Sequence, residues 1–442
     1  MSPQSHVIPA SSAWVLAYSG SNAWPPSSYC FILPRRIYLQ DRTIFPAHLR
    51  NAICFIASHH SYDCSDVYRK RNNLVFDPNT PEDGFKVQAL LLLTLASYAR
   101  FERDLGNGAL TAAINLALRI GLNSNTFACS QNPVFQESWI RTWWELYTIT
   151  GLISLIGGTN VRLSQPNHMA LPTHCEEYET CQTFQYKTIE EMQQRFSTEA
   201  NFKWSSFAYR VEAMRILSKI LDISNDTAGS RCDAANASVS SFLLSLPPDK
   251  RDGLKKDGEI DEVMSCALMI IHLASVCLHL PRSNLTGLRG FKTVCGNERG
   301  RIVAEECKAH HFAALRSAKA LSNLISSRTS LKTLSPCFSC AIAFAAVVQL
   351  SECLVRKLPE SDYLKEHVQL ELSALDVLGE TWPIARVVRG QIAQFSREVL
   401  GKSSQDMFSE SLSPVIPDDQ WLQDLIAENL DMPSDGFFIP GV

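Results

Sequence analysis

Between Lys86 and Pro172 the apolar positions recur at helical spacing. Val87, Leu90, Leu91, Thr94, Leu95 and Tyr98 fall three and four residues apart, which predicts one buried face of a helix beginning near Lys86. Gly106 and Gly108 predict a break. A second helix over 109–120 should end at Gly121, because glycine adopts the left-handed turn that closes a helix. A third is predicted from about Phe135 to Ile156, stopped by Gly157 and Gly158. Trp139, Trp143 and Tyr147 share one face of it and Ile140 and Trp144 the next, so it should be buried on most sides. Arg141 and Glu145 are four residues apart and placed to pair along it, for about 0.2–0.5 kcal/mol.

Outside that stretch the pattern stays helical. Residues 1–45 are rich in Ser and Pro and poorly periodic, so they are expected to be irregular or partly disordered. A helix is predicted from near Pro46 to about residue 60, then a basic polar piece at 68–73 and a loop over 77–84. Later helices are expected over 188–223, 234–246, 260–280, 302–326, 336–358 and 363–400. Pro383, after Trp382, should kink or break the last of them. No run of alternating strands and no fixed-period repeat is present. The prediction is an all-α chain, a large irregular multi-helix domain over 46–400 between an irregular segment (1–45) and a distinct tail (401–442).

Composition adds the tail. The chain has 442 residues, 45% hydrophobic and 19% charged, with net charge −4. Residues 403–442 hold eight acids and no Lys or Arg, which leaves 37 acids against 41 bases elsewhere. There is no global basic signature for nucleic acid, and an asymmetry of this kind marks an interaction tail. Fourteen scattered cysteines, several in apolar helical runs, and no secretory signal over 1–28 point to reduced thiols inside the cell. No uninterrupted apolar run reaches the ~20 residues that span a bilayer, so no membrane partner is expected.

Candidate chemistry is sparse. Cys337 and Cys340 are a lone C-x-x-C on a helix and read as core cysteines, since a structural zinc site needs four ligands. Cys175 and Cys181, beside Glu176 and Glu177, read as surface loop residues. His272 and His279 share a helical face, and Glu306 and His310 form at most a half-site. No GxSxG, GxxxxGK[ST] or HExxH motif occurs, and the glycines of 287–300 lack dinucleotide-loop spacing. Glu190 and Glu191 read as solvated surface. The short basic clusters at 35–36, 69–71 and 250–256 lack the interleaved aromatics that stack on bases. The site expectation is no catalytic, cofactor-binding or metal-ligating residues.

The tail carries more. Trp421, Leu422, Leu425, Ile426 and Leu430 form one apolar helical face among acids, a composition shared by activation domains. The alternative is a last helix docked on the chain's own core.

The stretch Val87-Gln88-Ala89-Leu90-Leu91, the glycine-ended helix Ala112–Asn123 and the run Arg141-Thr142-Trp143-Trp144-Glu145-Leu146-Tyr147 together resemble the fungal-specific transcription factor domain, or middle homology region. Gly157 through Leu171-Pro172 and Trp382-Pro383-Ile384-Ala385-Arg386 echo later parts of that pattern, for a coverage of about 46–400. The resemblance marks Gln88, Leu91, Gly121, Arg141, Trp143, Trp144 and Tyr147 as the motif core. It implies a nuclear regulator of a metabolic, often secondary-metabolite, gene set. Its partners would be the transcription machinery or co-activators, and homo- or heterodimers with zinc-cluster factors. Most members carry an N-terminal six-cysteine zinc cluster that binds DNA. Before Lys86 this sequence has only Cys30, Cys54 and Cys64, so DNA contact is not supported by this chain alone, and zinc is expected only with such a cluster. Two other readings stay open: a DNA-independent co-regulator that dimerises with a zinc-cluster factor, and a helical enzyme of terpene-processing type. The second lacks the Asp-rich metal motif that such chemistry needs.

Overall fold

A computed structural model of the chain describes residues 30–60, 69–128, 132–157, 161, 163, 168–181, 184–195, 202–223, 229–255, 257–285, 307–326, 331, 334–356 and 362–400. The tail residues Trp421, Leu422, Leu425, Ile426 and Leu430, and Glu306, lie outside them. Fifteen α-helices occur among the described residues: α1 (Arg35–Gln40), α2 (Ala47–Ser58), α3 (Gly84–Ala99), α4 (Arg103–Arg119), α5 (Asn125–Ala128), α6 (Pro133–Gly157), α7 (Cys175–Thr180), α8 (Ile189–Gln193), α9 (Ser206–Asp222), α10 (Gly229–Ser245), α11 (Glu262–His279), α12 (Cys307–Ser326), α13 (Cys337–Arg356), α14 (Asp362–Gly379) and α15 (Pro383–Leu400). The only β-pairing among them is two isolated bridges, Ala170 with Thr188 and Leu254 with Ile260. The fold is all-α.

The helices pack in two runs: α2 on α3 and α3 on α4, then α9 on α11, α11 on α12, α12 on α13 and α13 on α14. Helix α6 touches both α3 and α9 and joins the two runs. The described ends also meet, since Trp382, just before α15, stacks on His59 (centroids 5.3 Å apart) and donates from its indole N–H to the Leu334 carbonyl at 2.9 Å.

Two helices are buried around their whole circumference. Every residue from Val87 to Ser97 in α3 and from Glu137 to Thr150 in α6 is buried. The periodic face expected on α3 is therefore part of a fully enclosed helix, with Tyr98 half-buried at its edge. Helices Glu262–Arg282 and Cys337–Val355 are long and apolar enough to cross a membrane. However, 83% and 78% of their apolar windows are buried inside the protein, which makes them core helices. Uninterrupted runs understate them, because scattered Ser, His and Gln break the runs without ending the apolar helix.

Four expectations fail for physical reasons. Gly106 and Gly108 do not break the chain but sit inside α4. A Cβ on Gly106 would lie 2.8 Å from the Tyr98 ring, so this glycine lets α3 and α4 approach closely. The predicted helix 188–223 is two helices. Thr188 starts α8 with a capping box closed by Glu191, and Ser205 starts α9 by accepting from the Ala208 N–H at 3.0 Å. Glu191 is thus a cap rather than idle surface. The segment before Pro46 is not wholly irregular: it forms α1 and buries Phe31, Leu33, Tyr38 and Phe45. Finally, Arg141 does not pair with Glu145, as set out below. Gly121 behaves as predicted. At φ +75° it closes α4 with a Schellman motif, in which its N–H donates to the Leu118 carbonyl and Leu122 N–H to Ala117.

Candidate functional site

The polar heart of the protein lies on one stripe of α6. Glu137, Arg141 and Glu145 are spaced four apart, so they stack on one face, and all three are buried. Arg141 Nε donates to Glu137 Oε1 at 2.7 Å. Its other nitrogens reach three carbonyl oxygens: Cys30 at 3.2 Å, Thr173 at 2.9 Å and His174 at 3.3 Å. The guanidinium lies 4.2 Å from the Tyr178 ring centroid and 5.4 Å from that of Phe207. Burial is the largest single influence and works against its charge, but Glu137, Cys175, Cys30 and Tyr178 together outweigh it and hold its pKa well above the usual value. Glu145 pairs with Arg210 of α9, whose guanidinium lies 4.2 Å from the Phe207 ring centroid. Burial raises the Glu145 pKa and Arg210 opposes the rise. Two acids and two guanidiniums are therefore enclosed as a balanced set, with Phe207 near both cations.

The motif residues converge on the same task, which is to hold two chain segments against α6. Gln88 Nε2 donates to the Phe31 carbonyl at 2.9 Å and to the Ser138 and Thr142 hydroxyl oxygens. Ser138 donates to the same carbonyl at 2.8 Å. Residues 30–33 thus form a strap pinned by α3 and α6. Trp144 Nε1 donates to the Ala170 carbonyl at 2.8 Å and fixes the loop at 168–174. Its ring meets Tyr147 edge-on at 5.7 Å. Leu91 and Trp143 are fully buried, and the Trp143 indole N–H has no hydrogen-bond acceptor among the described residues.

Cys175 corrects another expectation. Rather than a surface loop residue, it opens α7 with its sulfur 3.6 Å from Arg141 Nη1. A hydrogen bond from Cys30 and the Arg141 charge lower its pKa to about 6 against the effect of burial. The same hydrogen bond and burial push the Cys30 thiol well up. Cys181, at φ +49°, ends α7 and accepts from Arg36 Nε at 3.1 Å.

Beside the loop at 168–174 lies a cleft of about 460 Å³ whose lining includes His174, Glu177, Lys187, Phe202, Lys203 and Trp204. Lys187 pairs with Glu191 at 2.9 Å, and His174 contacts the Lys203 carbonyl at 3.0 Å.

Among the described residues the remaining histidines and cysteines do not assemble a metal centre. His279 meets His310 of α12 with 2.7 Å between their Nδ1 atoms, and its Nε2 faces Asn236. Burial, then the His310 charge, lowers the His279 pKa to about 3, and burial lowers that of His272 to about 4. His311 pairs separately with Glu352 at 2.9 Å. Cys340 is buried and Cys337 half-buried. Among the described residues no three His, Cys, Asp or Glu side chains come together as metal ligands, so they offer a zinc cluster no donor set.

Residues 46–246 match the family model of the fungal specific transcription factor domain. This part of the chain is a fungal specific transcription factor domain. Its family regulates transcription and is not one of enzymes, which removes the terpene-processing alternative and implies work in the nucleus. The chain is also similar to the C6 finger domain transcription factor iacK of Pestalotiopsis fici, 25% identical over 346 residues. That alignment covers 75% of this chain and 51% of the relative, so the chain spans about half the length of the curated relative it matches. No solved structure matches. The fungal specific transcription factor domain contains Gln88, Arg141, Trp144 and Gly121, which hold its polar core, its loop and a helix end. Glu137, Cys30, Cys175 and Arg210 complete that core without belonging to the quoted motifs. Glu137 was readable as the acid four residues before Arg141; the others arrive from far along the chain and leave no local signal.

Proposed function

We propose that this chain is the regulatory region of a nuclear fungal transcription activator that controls a metabolic gene set. In this reading a six-cysteine zinc cluster, in the same polypeptide or in a dimer partner, supplies the DNA contact. The acidic C-terminal segment recruits co-activators. The observation that carries the reading is the similarity to a C6 finger domain transcription factor over 75% of the chain, well past the family segment at 46–246. The helices after residue 246 then belong to the same regulatory body. The structure supports a regulatory rather than a chemical role, since the buried charges of α6 are spent on holding the strap and the 168–174 loop.

The test is a tethered reporter assay. Fused to a heterologous DNA-binding module, the whole chain should activate transcription, and removing Pro417–Val442 should abolish that activation at equal nuclear abundance. Unchanged activation after the deletion sinks the tail assignment. A silent full-length fusion at normal abundance sinks the activator reading. Co-purification with a zinc-cluster protein would place the DNA contact in a partner.

A further inference from the structure

The strap and α7 meet through sulfur as well as oxygen. The Cys30 and Cys175 thiols hydrogen-bond to each other. One guanidinium spans the pair, with Arg141 Nη1 3.2 Å from the Cys30 carbonyl oxygen and 3.6 Å from Cys175 Sγ. Cys30 is buried, whereas Cys175 is half-buried at the first turn of α7. Two further bonds hold the same surfaces together: Tyr178 Oη donates to the Ile32 carbonyl at 3.1 Å, and Arg36 Nε donates to Cys181 Sγ at 3.1 Å. A paired, cation-supported thiol of this kind differs from the other cysteines of the core. Cys54 and Cys337, for example, are pushed up to about 12 by burial and stay protonated.

We propose that Cys30 and Cys175 form a peroxide-sensitive dithiol whose oxidation to a disulfide fastens the N-terminal strap to α7. The oxidant is hydrogen peroxide or an organic hydroperoxide. The Cys175 thiolate attacks one peroxide oxygen. An S–O bond forms as the O–O bond breaks, and the departing oxygen takes up a proton. The Cys30 sulfur then attacks Cys175, its proton passes to the sulfenic oxygen, and water leaves as the S–S bond forms. Two electrons leave the thiols and the peroxide is reduced to two molecules of water, or to water and an alcohol. A dithiol such as dithiothreitol reverses the step by exchange. Arg141 favours the attacking thiolate and keeps Glu137 as its partner once that charge is gone. The locked state holds the strap covalently to a surface it otherwise holds by hydrogen bonds, and the long loop so closed restricts the unfolded chain.

The experiment treats the purified full chain with hydrogen peroxide, caps the remaining thiols with N-ethylmaleimide and maps the digest by mass spectrometry. The expected product is a Cys30–Cys175 linked peptide lighter by two hydrogen atoms, lost on dithiothreitol treatment and accompanied by a higher Tm. In Cys30→Ser the reaction should stop at a Cys175 sulfenic acid that dimedone traps. Alkylation of Cys175 by iodoacetamide should reach half its maximal rate near pH 6, as the lowered thiol pKa implies. Disulfides among other cysteines, with Cys30 and Cys175 still capped by maleimide, overturn the proposal. So does a Cys175 that alkylates with the pH profile of an ordinary thiol. If the Cys30→Ser variant does not fold, the map of the unmodified sequence decides alone.

Discussion

Replacing Arg141 by methionine preserves much of its stem and deletes its guanidinium. Glu137 then keeps a hydrogen bond from the Thr173 N–H at 2.9 Å but loses the cation that neutralises it inside the core. The carbonyls of Cys30, Thr173 and His174 lose a donor together. Breaking a buried pair from one side costs about 3–5 kcal/mol, and the stranded carbonyls place this site in the upper half of that range. Unfolding entropy of about 2 cal/mol/K per residue, over a body of roughly 350 residues, comes to about 0.7 kcal/mol/K. Arg141→Met should therefore lower the Tm by about 6–7 °C in differential scanning calorimetry. Removing both charges, as Arg141→Met with Glu137→Met, should recover at least about half of the loss, because no carboxylate is then buried unpaired. A loss below about 1.5 °C for the single variant, or a double variant no more stable than the single, would refute the claim that this pair organises the core.

Three further outcomes follow from particular contacts. Trp144→Phe should cost about 1–3 kcal/mol more than Trp143→Phe in chemical denaturation, because both shrink a buried ring but only Trp144 leaves a carbonyl, that of Ala170, without its donor. Gly106→Val should destabilise by about 1–3 kcal/mol through its clash with Tyr98, while Gly108→Ala, with open space around it, should stabilise by about 0.4–1 kcal/mol in the same assay. Burial raises the Glu371 pKa to about 8, against hydrogen bonds from Ser322 and Gln349, so the native state holds a proton that the unfolded chain releases near 4.5. Its contribution is complete below about pH 4.5 and fades as pH rises toward 8; Glu371→Gln should flatten the fall of Tm across that window, and parallel Tm curves would count against a neutral Glu371.

The fold was legible where one local rule decided the outcome. The enclosed α6 shows in Trp139, Trp143 and Tyr147 at four-residue spacing with Trp144 on the next face, the end of α4 in Gly121, and the break before α15 in Pro383. It was illegible where a distant partner changed the meaning of a residue. Gly106 looks like a breaker until Tyr98 is seen lying where a side chain would be. Glu145 looks like the partner of Arg141 until Arg210 of α9 claims it. The strap residues Phe31 to Leu33 carry no period of their own, because they are held by backbone carbonyls, which every residue type offers alike. The same applies to Cys175, whose character comes from Arg141 and Cys30 rather than from its neighbours Glu176 and Glu177.

The strap also sets a timetable for synthesis. Residues 30–33 leave the ribosome 111 residues ahead of the Arg141 that binds Cys30, counted from that pair, and 146 ahead of the Tyr178 that binds Ile32. At about 5–20 residues per second the interval to Tyr178 is about 7–30 s. Throughout that wait Phe31, Ile32 and Leu33 have no groove to enter, so a nascent chain of this protein presents its apolar leading segment to chaperones before it can present it to itself.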